Sequence, residues 1–261
     1  MTGRVLFQSM RGPFLVLTPV CVLLGVGTVV ANKAPVDWSL LFLCLLGALL
    51  AHISVNALNE YADFRSGLDL ATLRTPFSGG SGALPRHPEM ARAVLVLGVT
   101  TLLGVILVGL YFLRHYGLDL LPVGLAGLLL VVTYTGWINR HPFICLIAPG
   151  LGFGILMVVG TQFVLQGSYS ALSLLAAVVP FFLANNLLLL NQYPDIEADR
   201  NAGRRHFPIT YGTGISSGVY AISAMLTVLV IVAGVLSGYF PALSLVALLP
   251  MPLALYAWSG A

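Results

Sequence analysis

Charge is what this sequence has least of. Of its 261 residues 8% are Asp, Glu, Lys or Arg, against about 25% in ordinary soluble domains, and 58% are hydrophobic. That balance excludes a soluble globular chain, a disordered polyelectrolyte and a basic nucleic-acid binder, so no nucleic-acid partner is expected. Cysteine is also scarce. Cys21, Cys44 and Cys145 each sit in an apolar run without CxxC spacing, which argues against a zinc site or a disulfide framework and leaves them as small core hydrophobes. Hydrophilic sequence of any length is confined to 61–90 and 192–213. No room remains for a soluble domain, and 1–261 reads as one polytopic membrane domain with no protein partner indicated.

What the chain does have is apolar runs near 14–31, 39–60, 91–113, 117–135, 143–166, 170–191, 214–237 and 240–260. Each approaches the roughly 20 residues that cross a bilayer as helix. The expected fold is therefore an all-α integral membrane bundle of eight transmembrane helices. With the N-terminus cytoplasmic, Arg4, Arg11, Arg65, Arg74, Arg86, Arg92, Arg140, Arg200, Arg204 and Arg205 share that side, and Lys33 and Arg114 lie opposite. This is the asymmetry of the positive-inside rule, and it puts both hydrophilic stretches in the cytoplasm. Arg4 and Arg11 ahead of an apolar run, with TVVANKA after it, also suit a cleaved signal peptide.

An internal echo argues against cleavage. NEYAD at Asn59 to Asp63 matches NQYPD at Asn191 to Asp195, 132 residues later, and RGPF at Arg11 matches RHPF at Arg140 at an offset of 129. A discarded leader has no reason to resemble the start of a fifth span. Four spans return the chain to the same side, so the halves, about 1–135 and 136–261, read as parallel four-helix repeats around a central cavity.

The acids concentrate where the repeats match. Asn191, Asp195 and Asp199 recur at i, i+4 and i+8, a stripe that drifts only about 40° per step on a helix. Glu197 faces away from it, and Pro194 breaks the ladder where the chain leaves the membrane. In the first half Asn56, Asn59 and Asp63 share one helical face; Asp69 lies off it unless Gly67 supplies a break. Four converging carboxylates repel one another unless a cation is present. Oxygen-only donors without clustered His or Cys favour Mg2+, whose coordination waters and substrate phosphates complete. Arg65, Arg74, Arg200, Arg204 and Arg205 then suit a clamp on diphosphate oxygens.

At these residues the chain resembles the UbiA superfamily of intramembrane prenyltransferases. Asn59, Asp63 and Asp69 match its first motif, in the longer spacing with an intervening Gly that looks like the branch acting on 1,4-dihydroxy-2-naphthoate. Asp195, Asp199, Arg200, Gly203 and Arg204 match the second, and Arg11 with Pro13 and TYTG around Tyr134 extend the likeness over essentially the whole chain. The resemblance implies transfer of a prenyl group from a polyprenyl diphosphate to an acceptor within a bacterial or archaeal inner membrane: 1,4-dihydroxy-2-naphthoate, as in menaquinone biosynthesis, with 4-hydroxybenzoate, homogentisate or a non-aromatic acceptor as alternatives. It implies two Mg2+, one on Asp63 and Asp69 and one on Asp195 and Asp199. Asn59 and Asn191 would orient these ligands or the diphosphate. Arg11, Asn56, Arg65, Arg74, Tyr134, Arg140, Arg200 and Arg204 become candidate substrate contacts. Members commonly carry a ninth helix, whereas this chain stops at Ala261 as its eighth run ends.

The remaining signals are weaker. RTPFSGGSGALPR, Arg74 to Arg86, reads either as a flexible connector or as a lid over the diphosphate. Tyr134 either steadies an allylic cation with its ring face or anchors at the interface. His52 reads as a packing residue, and His87, His115, His141 and His206 show no ligand spacing. No general base is identifiable. A secondary transporter is the rival class, since repeats and acids also suit ion coupling, though nearer the midplane. The DGxxAR-type motif of CDP-alcohol phosphotransferases is absent.

Overall fold

The computed structural model describes residues 2–72, 74–75 and 79–260. Its helices, in chain order, are α1 (Thr2–Ser9), α2 (Leu17–Ala31), α3 (Trp38–Arg65), α4 (Leu68–Ala71), α5 (Ala83–Arg86), α6 (Ala91–Tyr116), α7 (Leu121–Thr133), α8 (Pro142–Pro149), α9 (Gly160–Gln166), α10 (Ala171–Asn191), α11 (Ile196–Asn201), α12 (Phe207–Leu236) and α13 (Met251–Ser259). No strand occurs among the described residues. In hydrocarbon a backbone must satisfy its own hydrogen bonds, which a helix does within one segment. The protein is an integral, multi-pass membrane protein.

Seven helical stretches among the described residues are long and apolar enough to cross a bilayer, against the eight expected runs. The difference lies in Pro88–Thr133, a single stretch of 46 residues that takes in the third and fourth runs. At 1.5 Å per residue it would extend about 69 Å as one helix, more than twice a hydrocarbon core of roughly 30 Å. It is not one helix: Gly117, between α6 and α7, has φ 69 and ψ −155.

The helices meet through small residues and a few polar pins, as membrane bundles do in the absence of a hydrophobic drive between helices. Between α8 and α9 the chain is π-helical over Gly150–Val159. There the backbone of Gly154 lies so close to α10 that a Cβ would fall 2.6 Å from the Phe181 nitrogen and 2.7 Å from the Ala177 oxygen. The Gly150 N–H donates to Asn185 Oδ1 at 2.6 Å, a side-chain substitute of the kind that lets irregular helix persist in a membrane. Asn186 ties α10 to the Tyr220 carbonyl of α12 at 3.0 Å. His52 of α3 pairs with the Thr18 hydroxyl of α2 at 2.9 Å and meets Phe153 edge-on. That is the packing role expected of it.

These contacts leave an apolar cavity of about 500 Å³ between α3, α6, α7, the π-helical segment and the end of α10. Along α3 it is lined at every turn from Leu43 to Asn59, about 24 Å of helix. At its far end Cys44, Phe112, Leu120, Phe163 and Val164 form a buried cluster. The other end carries the acids.

Candidate active site

Four carboxylates lie beyond this end of the cavity, on α3, on α4 and at the head and in the body of α11. Asp63 is in the last turn of α3 and buried. Gly67 follows in the left-handed region at φ 80, and this turn starts α4, whose Asp69 is buried as well. Gly67 therefore provides the break its position suggested. In the second half the single helical stripe does not form. Helix α10 ends at Asn191, a turn through Pro194 follows, and Asp195 stands at the head of α11, which carries Asp199. Glu197 is exposed and Asp199 buried.

A small polar chamber of about 80 Å³ lies between these elements. Arg11, Asn59, Tyr134, Leu188 and Asn191 line both the chamber and the apolar cavity, so a space with charged walls adjoins one with hydrocarbon-like walls. Asp195, Asp199, Arg204 and His206 line the chamber. Arg204 bridges the halves: its Nη2 donates to Asp63 Oδ1 and its Nη1 donates to Asp199 Oδ1 at 2.9 Å. His206 Nε2 pairs with the other Asp199 oxygen at 3.0 Å. Asn59 donates to the Thr135 hydroxyl at 3.3 Å, and Asn56, which lines the cavity, to the Met10 carbonyl at 3.0 Å.

The glycine-rich stretch is stitched across this site. Gly79 N–H donates to Asp195 Oδ2 at 3.0 Å. Ser81 donates to Glu60 twice, from its N–H at 3.1 Å and from its hydroxyl. Arg74 holds the Gly79 and Asp69 carbonyls, each at 3.3 Å. Pro76, Phe77 and Ser78 of this stretch lie outside the described residues, as does Leu73 beside it.

Electrostatics follow from burial. The Asp69 carboxyl is pushed up to about 7, first by burial and then by the nearby Glu60 and Asp63 carboxylates. Asp195 is also raised by burial, against the Gly79 hydrogen bond. Burial alone would lower Arg204, but Asp63 and Asp199 outweigh it and raise the guanidinium above its usual range.

Two buried carboxylate oxygens, Asp69 Oδ2 and Asp195 Oδ1, have no hydrogen-bond partner. An unpaired buried acceptor is costly, and a hard cation would satisfy both. No group of three or more acids, His or Cys among the described residues is preassembled around one point. Mg2+ does not require one, since it commonly takes one or two carboxylates and completes its shell with water and phosphate. The donor set fits Mg2+.

The sequence candidates thus divide. Asp195, Asp199, Asn59, Asn191, Arg11, Tyr134 and Arg204 line the chamber, Asp63 reaches it through Arg204, Asp69 lies against Gly80 of the loop without lining either space, and Asn56 lines the cavity beneath. Arg74 braces the loop through backbone carbonyls. Arg65, Arg140 and Arg200 are exposed and line neither space. At the Arg140 position it is the neighbouring Asn139 that lines the chamber, with Oδ1 unpaired. Glu60 and His206 carry no sequence signal of their own. Glu60 is 1% exposed and adjoins Asn59; a charged residue so near the end of an apolar run is a cue to examine.

The family model for the UbiA prenyltransferase family matches residues 18–260. The 1,4-dihydroxy-2-naphthoate octaprenyltransferase of Bacillus subtilis (strain 168) is 32% identical over 214 residues, covering 80% of this chain and 67% of the relative. The protein of the same name from Haemophilus influenzae is 26% identical over 186 residues, covering 70% of this chain and 60% of its own. The solved structure of a UbiA homolog from Archaeoglobus fulgidus bound to DMAPP and Mg2+ shares the fold, with a TM-score of 0.71 at 15% identity over 97% of this chain and 85% of that one. By the extent of the family match, and by the identity to the Bacillus relative, this chain belongs to the UbiA prenyltransferase family.

Proposed function

We propose that this prenyltransferase moves a prenyl group from a polyprenyl diphosphate to an aromatic acceptor, with Mg2+, inside the membrane, and that the acceptor is 1,4-dihydroxy-2-naphthoate. The observation that carries the reading is the junction of the two spaces: a polar chamber lined by Asp195, Asp199 and Arg204, with Asp63 bonded to that Arg204, shares Arg11, Asn59, Tyr134, Leu188 and Asn191 with an apolar cavity of about 500 Å³. A prenyl diphosphate has the same polarity profile. The names of the Bacillus and Haemophilus relatives support the choice of acceptor.

In this reading Asp63 and Asp69 hold one Mg2+, and Asp195 and Asp199 the other. Bound there, the ions would supply positive charge against that building on the departing diphosphate. Arg11, which lines both spaces and whose Nε is buried without a partner, adds a fixed positive charge on the same oxygens. Asn59 and Asn191 orient the head group at the junction of the two spaces. The allylic carbon then lies where the walls turn apolar, and exclusion of water there favours attack by the ring carbon. Tyr134 faces that junction and steadies positive charge on the allylic fragment. With 1,4-dihydroxy-2-naphthoate the attacked carbon bears the carboxylate, so the new carbon–carbon bond forms as CO2 leaves.

The same proposal takes 1–261 as a single membrane domain of eight crossings, with Pro88–Thr133 passing twice, and two parallel repeats. The N-terminus and acidic loops face the cytoplasm of a bacterial or archaeal cell. The test is a panel of labelled prenyl diphosphates against 1,4-dihydroxy-2-naphthoate, 4-hydroxybenzoate and homogentisate, with purified protein and Mg2+. Prenylated naphthoate product with matching CO2 release is expected. Product with either other acceptor alone overturns the acceptor, and pyrophosphate release with none of them overturns aromatic transfer.

A further inference from the structure

The first and second acidic motifs are joined through one guanidinium. Arg204 lies past the end of α11 and bonds to Asp63 of the first half and Asp199 of the second, its side chain only 18% exposed. Charge pairs so shielded are costly to break by removing one partner. Among the described residues no other Arg or Lys pairs with those carboxylates; His206 pairs with Asp199 and is charged only when protonated. The residue's backbone is fixed, with its N–H on the Asp199 carbonyl at 2.9 Å after a left-handed turn at Gly203. Movement is thus left to the flexible side chain.

An arginine in this position conflicts with a metal ion. A divalent cation drawn to Asp63 or Asp199 meets a fixed positive charge on the same carboxylates. The conflict is relieved when the guanidinium acquires another anion, and a diphosphate, which an arginine fork matches well, is the anion that enters with the metal. Asp69 and Asp195 have the unpartnered oxygens, so an incoming cation finds free ligands before it competes for those held by Arg204.

We infer that Arg204 is a resident counter-cation that holds Asp63 and Asp199 together and transfers to the diphosphate when metal and diphosphate enter. It is a positioning residue that makes metal binding conditional on the diphosphate. The inference rests on the proposed reading that this site takes a Mg2+ diphosphate.

The test is binding, without acceptor or turnover. The metal-free full chain in detergent is titrated with Mg2+, with and without inorganic pyrophosphate, by calorimetry and by thermal midpoint. In the wild-type chain Mg2+ alone binds weakly, and pyrophosphate tightens it by about tenfold or more, within the usual range of coupling between sites. Arg204→Gln binds Mg2+ alone about tenfold tighter than wild type and loses most of the gain from pyrophosphate; Arg204→Met, nearer in shape, does the same, and Arg204→Lys retains weak binding. Equal Mg2+ affinity with and without pyrophosphate in the wild-type chain overturns the inference whatever the variants do. So does a folded Arg204→Gln or Arg204→Met chain that binds Mg2+ alone no tighter than wild type. Coupling without prenyl transfer counts against the proposed activity, whereas transfer without coupling counts against the exchange alone.

Discussion

In NEYAD, Asn59 and Asp63 stand on one unbroken helix that runs on to Arg65. In NQYPD the helix stops at Asn191, and Asp195 lies beyond a turn at the head of a separate six-residue helix. The positions differ by one decisive residue, Ala62 against Pro194. Proline lacks the N–H that the ladder needs, and its ring clashes with the carbonyl one turn back. The first arm therefore points its acid straight into the site. The second folds over, so Asp195 reaches the glycine-rich loop while Asp199 reaches Arg204 and His206. Duplicated letters thus yield two unlike halves of one site.

The sharpest way to break the comparison is to remove one acid from each arm. Asp63→Asn and Asp195→Asn should each lower pyrophosphate release by about 10²- to 10³-fold, the range for losing one preorganised electrostatic contact; the thermal midpoint should fall for Asp63→Asn, which takes one partner from the shielded Arg204, and change little for Asp195→Asn. A loss in only one arm would show that a single arm carries the chemistry. Exchanging the residues that distinguish the arms comes next. Pro194→Ala should let α10 run on and carry Asp195 out of place, costing about 10²-fold in kcat/KM. The reciprocal Ala62→Pro should destabilise α3 by about 3 kcal/mol, seen as a lower denaturation midpoint.

Glu60 is bonded to the loop that covers the first arm, and it has no acidic counterpart at Gln192. Glu60→Ala strands the Ser81 donors, at a cost of about 1–3 kcal/mol, and should raise KM for the donor more than it lowers kcat. Asp69 provides a smaller effect with a definite sign. In metal-free protein its carboxyl stays protonated to about 7, against 3.8 for the free group. The folded state binds the extra proton in that window, so stability should fall as pH rises from about 4 to 7 and level off above it. Asp69→Asn should flatten this slope in a thermal-midpoint profile. Smallest of all, Glu197→Gln and Arg200→Gln, both on the exposed side of α11, should change activity by less than about twofold.

Hydropathy and the acid spacing anticipated much of this. The apolar runs, the break at Gly67 and the outward Glu197 are local properties, set by residues within a turn or two of each other. The roles of Arg74 and Glu60 were hidden because they depend on how the loop 79–82 closes back onto α3 and α4. Arg204 sequesters an aspartate 141 positions away, and Gly79 bonds to one 116 positions away. No spacing rule reaches that far. Arg140 stands apart from Arg11 for a related reason: their repeat match is real in letters, but Arg11 lies in the left-handed region at φ 53 and reaches the cavity, whereas Arg140 ends a short 3-10 turn and is exposed.

By itself the sequence determined that this is a membrane bundle and that its acids, Asp37 and Asp119 apart, gather at one end of it. A chain this apolar must lie in lipid as helices, and charges this few are confined to helix ends and a wet site. The tertiary structure decided which charges share that site, because convergence depends on close backbone approaches such as Gly154 against α10 and on a loop stitched to acids from both halves. It also decided that Arg204 pairs with aspartates of both motifs, since only the packed bundle brings the two motifs within reach of one guanidinium.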